Sequence, residues 1–129
     1  MSALTTGLQL TIHKLAAMSG YSGCARATIT ARRADGVDGR QVREVTCVTV
    51  RDGRATLRFR PLEDGAAGDL DASVADDAGT VVWRSQLRRA SYYEQFETIR
   101  EAYAALRRAA KAMRSESVDI VSRAADPAN

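Results

Sequence analysis

The chain has 129 residues, 45% of them hydrophobic and 27% charged, with 19 Lys and Arg against 16 Asp and Glu and a formal net charge of +3. This composition excludes a disordered polymer, the length suits one domain with a real core, and no apolar run is long enough for a membrane-spanning helix. A single histidine, His13, and two cysteines, Cys24 and Cys47, exclude a four-ligand zinc site built only from Cys and His in one chain, and equally a disulfide framework.

The charge is unevenly spread. Residues 1–60 carry ten bases and four acids, residues 61–80 six acids and no base, and residues 81–129 nine bases and six acids. An acidic block therefore lies between two basic ones and can neutralise them after folding.

At the N-terminus, Thr6 and Gln9 have capping-box spacing ahead of Leu8, Ile12 and Leu15, with Gly20 as a stop, so a short helix is expected. Leu8, Leu10 and Ile12 also alternate, which leaves a strand as the other reading. Lys14 follows these apolar residues, the wrong order for a secretory signal, and a soluble cytoplasmic protein is expected.

From Arg26 the period becomes two. Ala27, Ile29 and Ala31 alternate with polar residues, the loop Asp35 to Gly39 follows, and Val42 to Val50 forms a second strand. Arg51-Asp52-Gly53-Arg54 reads as a tight hairpin, because Asp-Gly tolerates the positive φ angles of a type I′ turn. A third strand runs from Ala55 to Arg60 and ends at Pro61, a fourth from Asp69 to Ala75, and a fifth from Thr80 to Leu87 after the turn Asp76 to Gly79.

Pairing Phe59 with Leu70 and Leu57 with Ala72 would set Arg60 opposite Asp69, Arg58 opposite Asp71, and Asp71 opposite Arg84. The apolar face would carry Ile29, Val48, Val50, Leu57, Phe59, Leu70, Val74, Val81 and Trp83.

In the last third, Tyr92, Phe96, Ile99, Tyr103, Leu106, Ala110 and Met113 recur at spacings of four and three, the apolar seam of a helix. Ser91 and Glu94 form its capping box, and acids precede bases along it in the order the helix dipole favours. The expected fold is α+β: a five-stranded antiparallel β-meander with a long C-terminal helix on one face and a short N-terminal helix or strand. Residues 1–129 form one domain in this reading, with an N-terminal segment 1–25, the meander 26–88, the helix 91–115 and a tail 116–129.

The chemistry is sparse. His13 is the one imidazole for a nucleophile–base pair, and its place beside Lys14 suits a structural or surface role. Cys47 falls on the open face near Arg58, a candidate reactive thiol or simply a small strand residue. Asp69 and Asp71 share a strand face, but neighbouring arginines would keep both ionised. Gly20 and Gly23 lack the Gly-Lys-Ser/Thr ending of a phosphate loop, and Asp35 and Asp38 do not follow the calcium-loop pattern. No cofactor, metal or catalytic residue is assigned.

The open sheet face holds the candidate site. Arg26, Arg32, Arg43, Arg54, Arg58, Arg60, Arg84 and Arg88 fall on it by parity, interleaved with Thr28, Thr30, Thr49 and Thr56, and can contact phosphate oxygens. With no aromatic on that face, such contact would be to the backbone of a nucleic acid. Arg26, Arg32 and Arg43 are expected to carry more of it than Arg58, Arg60 and Arg84, which the acids would neutralise. The expected function is a small non-catalytic adaptor, inhibitor or assembly protein docking on a protein partner, with room for a homo-oligomer. The alternative is a nucleic-acid-binding accessory protein.

Overall fold

A computed structural model of the chain describes residues 3–21, 26–63 and 66–124, apart from the side chains of Arg26 and of residues 117–124. Helix α1 (Thr6–Met18) is followed by strands β1 (Arg26–Asp35), β2 (Gln41–Asp52), β3 (Ala55–Pro61), β4 (Leu70–Ala75) and β5 (Val81–Leu87), and then by helix α2 (Tyr92–Ala124). The strands form one antiparallel sheet in the order β1-β2-β3-β4-β5, a meander with two outer edges.

The N-terminal segment is the helix, and its cap is Thr5 rather than Thr6. The Thr5 hydroxyl accepts from Leu8 N at 3.2 Å, and the Gln9 amide donates to Leu4 O at 2.9 Å. At the other end Gly20 takes a positive φ of 77°, which lets Gly20 N reach Ala17 O and Tyr21 N reach Ala16 O. This paired closure is a Schellman motif, and it satisfies carbonyls that the end of a helix leaves without partners. Gly23 and Cys24 lie outside the described residues.

The β2–β3 hairpin closes on Gly53 and Arg54, since Asp52 pairs with Ala55. Gly53 has φ +57° while Arg54 is not among the positive-φ residues, the pattern of a type II′ turn rather than the expected I′. The β3–β4 register also differs by two residues from the expected one: Phe59 pairs with Ala72, Leu57 with Val74 and Arg60 with Asp71. A shift of two keeps every side chain on its face, so the core alternation cannot discriminate between the two registers.

Two bulges change parity, which the alternation does not foresee. Thr30 pairs with Cys47 but Ala31 with Val45, leaving Thr46 as the extra residue. Val74 pairs with Trp83 but Ala75 with Val81, leaving Val82 extra. Val81, expected in the core, is consequently 53% exposed. Ile29 keeps its expected face, but the edge position of β1 leaves it 48% exposed.

One core joins both helices to the inner sheet face. Leu8, Ile12 and Leu15 of α1 meet Val48, Val50, Leu57, Phe59, Leu70 and Val74 of the sheet, and Ile99, Tyr103, Leu106, Ala110 and Met113 of α2. Phe96 is half-buried at its margin, and Tyr92, expected in the seam, is exposed. Ala102 and Ala105 join the buried face, so the stripe is wider than the four-three seam. Ser91 caps α2 by accepting from Glu94 N at 3.1 Å, while its hydroxyl donates to the Glu94 carboxylate. The helix runs through Ala124, past the expected end at 115, as no Gly or Pro interrupts it before Pro127. Residues 116–124 are therefore helical, whereas 125–129 lie outside the described residues.

Candidate arginine face of the sheet

The outer face carries three rows set by the strand register. Arg26, Arg51, Thr56 and Ala75 line up in one row, Thr28, Thr49, Arg58, Ser73 and Arg84 in the next, and Arg60 and Asp71 in a third. Arg26 occupies the start of β1, but its side chain lies outside what is described.

The sequence placed eight arginines on this face as one set, and folding divides them. Arg32 faces Glu44 directly across β1 and β2, and its Nε and Nη2 donate to Glu44 Oε2 at 3.1 and 3.0 Å. This corrects the expectation that Arg32 meets no acid on a neighbouring strand. Arg43 is not on the outer face at all. The Thr46 bulge sets it opposite Arg33 on the helix side, where it lines a concavity with the cap residue Thr5 and with Thr6 and Gln9 of α1. Arg54 donates to Asp77 Oδ2 at 2.8 and 2.6 Å, across the tips of two hairpins.

Arg84 reaches Asp71 in a bidentate pair, both contacts 3.1 Å, although the residue opposite it is Ser73. The pairing is diagonal, and the Asp71 hydrogen bond holds the Arg84 guanidinium above its ordinary pKa. Asp69, expected opposite Arg60, instead sits buried at the foot of the β5–α2 junction. Its carboxylate accepts from Arg89 N at 2.9 Å and from Ala66 N at 3.0 Å. The Arg89 backbone bond is the main reason its pKa lies below the ordinary carboxylate value, with Ala66 adding to it against the opposing effect of burial.

With Asp71 committed to Arg84 and Asp69 to backbone, Arg58 and Arg60 are left without an ion-pair partner among the described residues. Arg51 is in the same position, although the sequence pattern assigns it to the turn. Its neighbour Asp52 is bound by Tyr21 and Arg114 instead. Only the parity of β2 could have placed Arg51 on the face, and the tight hairpin beside it drew it into the turn assignment. Arg51 and Arg58 line a shallow concavity of about 350 Å³ at the hairpin end, together with Thr56 and the Arg54–Asp77 pair.

The remaining chemical candidates are dispersed. His13 is exposed on α1. Cys47 is a free, half-buried thiol opposite Thr30, with its sulfur 3.5 Å from Thr49 Oγ1, and Thr49 rather than Cys47 is the residue facing Arg58. Among the described residues no group of three or more His, Cys, Asp or Glu side chains is placed to hold a metal ion, and no helix is long and apolar enough to cross a membrane. Compared with protein-family models, with curated proteins and with solved structures, the chain matches none.

Proposed function

We propose that this chain is a small non-catalytic binding protein that docks through the outer face of its sheet on an acidic surface of a protein partner. The observation that carries the reading is the cluster of guanidinium groups Arg51, Arg58 and Arg60 on the outer face of adjacent strands β2 and β3, none of which makes an ion-pair contact among the described residues. Like charges on neighbouring strand positions disfavour the folded state, and an acidic partner relieves that repulsion while fixing orientation. The face is broad and shallow, which suits a macromolecule better than a small substrate.

A second reading has its own support. Thr28, Thr49 and Thr56 share the first two rows with Arg51 and Arg58. Hydroxyl and guanidinium donors both satisfy phosphate oxygens, so a nucleic-acid backbone is the alternative partner.

Titrating the chain with mixed-sequence DNA and RNA over a range of salt separates the two. The protein-docking reading expects weak binding to either and capture of a defined protein partner that Arg58→Glu/Arg60→Glu abolishes. Tight, steeply salt-dependent nucleic-acid binding lost in the same variant establishes the second reading instead. A captured partner and nucleic acid both unaffected by the double reversal would remove the outer face from either role.

A further inference from the structure

We propose that the flank of the domain where β5 meets α2 is a self-association surface whose occupant is a second copy of this chain. This surface is separate from the arginine face and does not depend on its function. A groove of about 390 Å³ lies there, with Trp83, Ala105, Ala109 and Met113 as its apolar lining and Arg108 and Glu116 also on its wall. The groove continues onto the edge of the sheet through Val82, the extra residue of the β5 bulge, which is 53% exposed. Adjoining apolar surface rimmed by charge marks an association site rather than ordinary solvent-facing surface.

The charge pattern selects the occupant. Arg108, Ala112 and Glu116 follow one another at four-residue spacing, so they form a single line along α2, and all three are exposed. Neither Arg108 nor Glu116 has an ion-pair partner among the described residues. A two-fold axis at Ala112 that sets α2 antiparallel to its copy places each Arg108 against the other copy's Glu116, forming the same pair twice. Self-complementarity under a two-fold is what an isologous dimer requires. A parallel arrangement would instead set arginine against arginine. The small side chains of Ala109 and Ala112 let the helix axes approach closely. The same arrangement runs the end of α2, from Arg114 to Ala124, along the first half of the second copy's helix.

Sedimentation equilibrium of the full chain tests this, with three variants. A dimer is expected for the unmodified chain. Arg108→Glu alone and Glu116→Arg alone should each weaken dimerisation by about tenfold or more, since each replaces two attractive pairs with two repulsive ones. The double exchange Arg108→Glu/Glu116→Arg should restore it, and an equimolar mixture of the two single variants should form a mixed dimer. Both positions are exposed, so the monomer fold should melt unchanged. A monomeric unmodified chain, a dimer indifferent to both single reversals, or a double exchange that fails to recover dimerisation would overturn the proposal. None of these outcomes bears on partner capture by the arginine face.

Discussion

The phenol of Tyr103, midway along α2, donates a 3.0 Å hydrogen bond to the carbonyl of Ile12 in α1, a buried link between residues 91 apart in the chain. Its ring also packs against Tyr21 and Phe59, with centroids 5.6 and 5.7 Å away, so one side chain joins both helices to the sheet. Burial pushes its pKa well above the ordinary tyrosine value, keeping the hydroxyl protonated as a donor. Tyr103→Phe preserves the packing and removes only the bond. A loss of about 1 to 2 kcal/mol in denaturant unfolding is expected, and a midpoint equal to that of the unmodified chain would show that the helix pair does not need the bond.

The α2 stripe predicts a graded cost of truncation. Leu106 is fully buried, and its change to Ala should destabilise by about 2 to 5 kcal/mol. Phe96 lies at the margin of the core, so Phe96→Ala should fall below the roughly 3 to 5 kcal/mol expected for a fully buried phenylalanine. Reversal of this order in thermal melts would contradict the observed burial.

Asp69 predicts an acid-side loss of stability. Its folded-state pKa is depressed, chiefly by the Arg89 backbone donor. The group therefore contributes stability above its unfolded pKa of about 4, and that contribution is lost as pH falls through the lower folded value. Asp69→Asn should be less stable at neutral pH and should show a flatter stability curve on the acid side. Parallel curves for the two proteins would refute the linkage.

The same junction holds Arg89 at φ +52°, the only positive value at a non-glycine position among the described residues. Left-handed backbone costs an L-residue about 1 to 2 kcal/mol, and glycine removes that cost while adding freedom to the unfolded chain. Arg89→Gly should therefore raise stability by a few tenths to about 1 kcal/mol in equilibrium unfolding. A destabilised variant would show that the arginine side chain contributes more than its backbone costs.

On the sheet, Arg32→Glu and Arg58→Glu should have opposite consequences. Arg32 is paired across the strands with Glu44, so reversal sets two carboxylates together and lowers the melting temperature. Arg58 faces Thr49 and Ser73, so reversal should leave the melt nearly unchanged while weakening capture of an acidic partner. A matched drop in stability for both variants would mean that the outer-face charges are coupled more broadly than the register implies.

Local patterns in the chain determined the element types, their order and most of the inner face. Alternation from Arg26 and the four-three rhythm from Tyr92 follow from the two backbone periods, and Gly20, Gly53 and Pro61 mark their ends through backbone conformation alone. The strand register, the two bulges and the commitments of the acids were decided only by tertiary structure. Alternation is unchanged by a two-residue slide, so Phe59 could sit opposite either Leu70 or Ala72, and the choice depends on how the whole inner face packs beneath Ile99, Tyr103 and Leu106. An extra residue such as Thr46 inverts parity without altering composition, which moved Arg43 to the helix side. Asp69 looked like a partner for arginine in the sequence and became a backbone acceptor at a chain junction, because a carboxylate's partner depends on which donors folding brings within 3 Å of it. That choice, together with the Arg84–Asp71 pair, is what left Arg58 and Arg60 on the outer face without an ion-pair contact among the described residues.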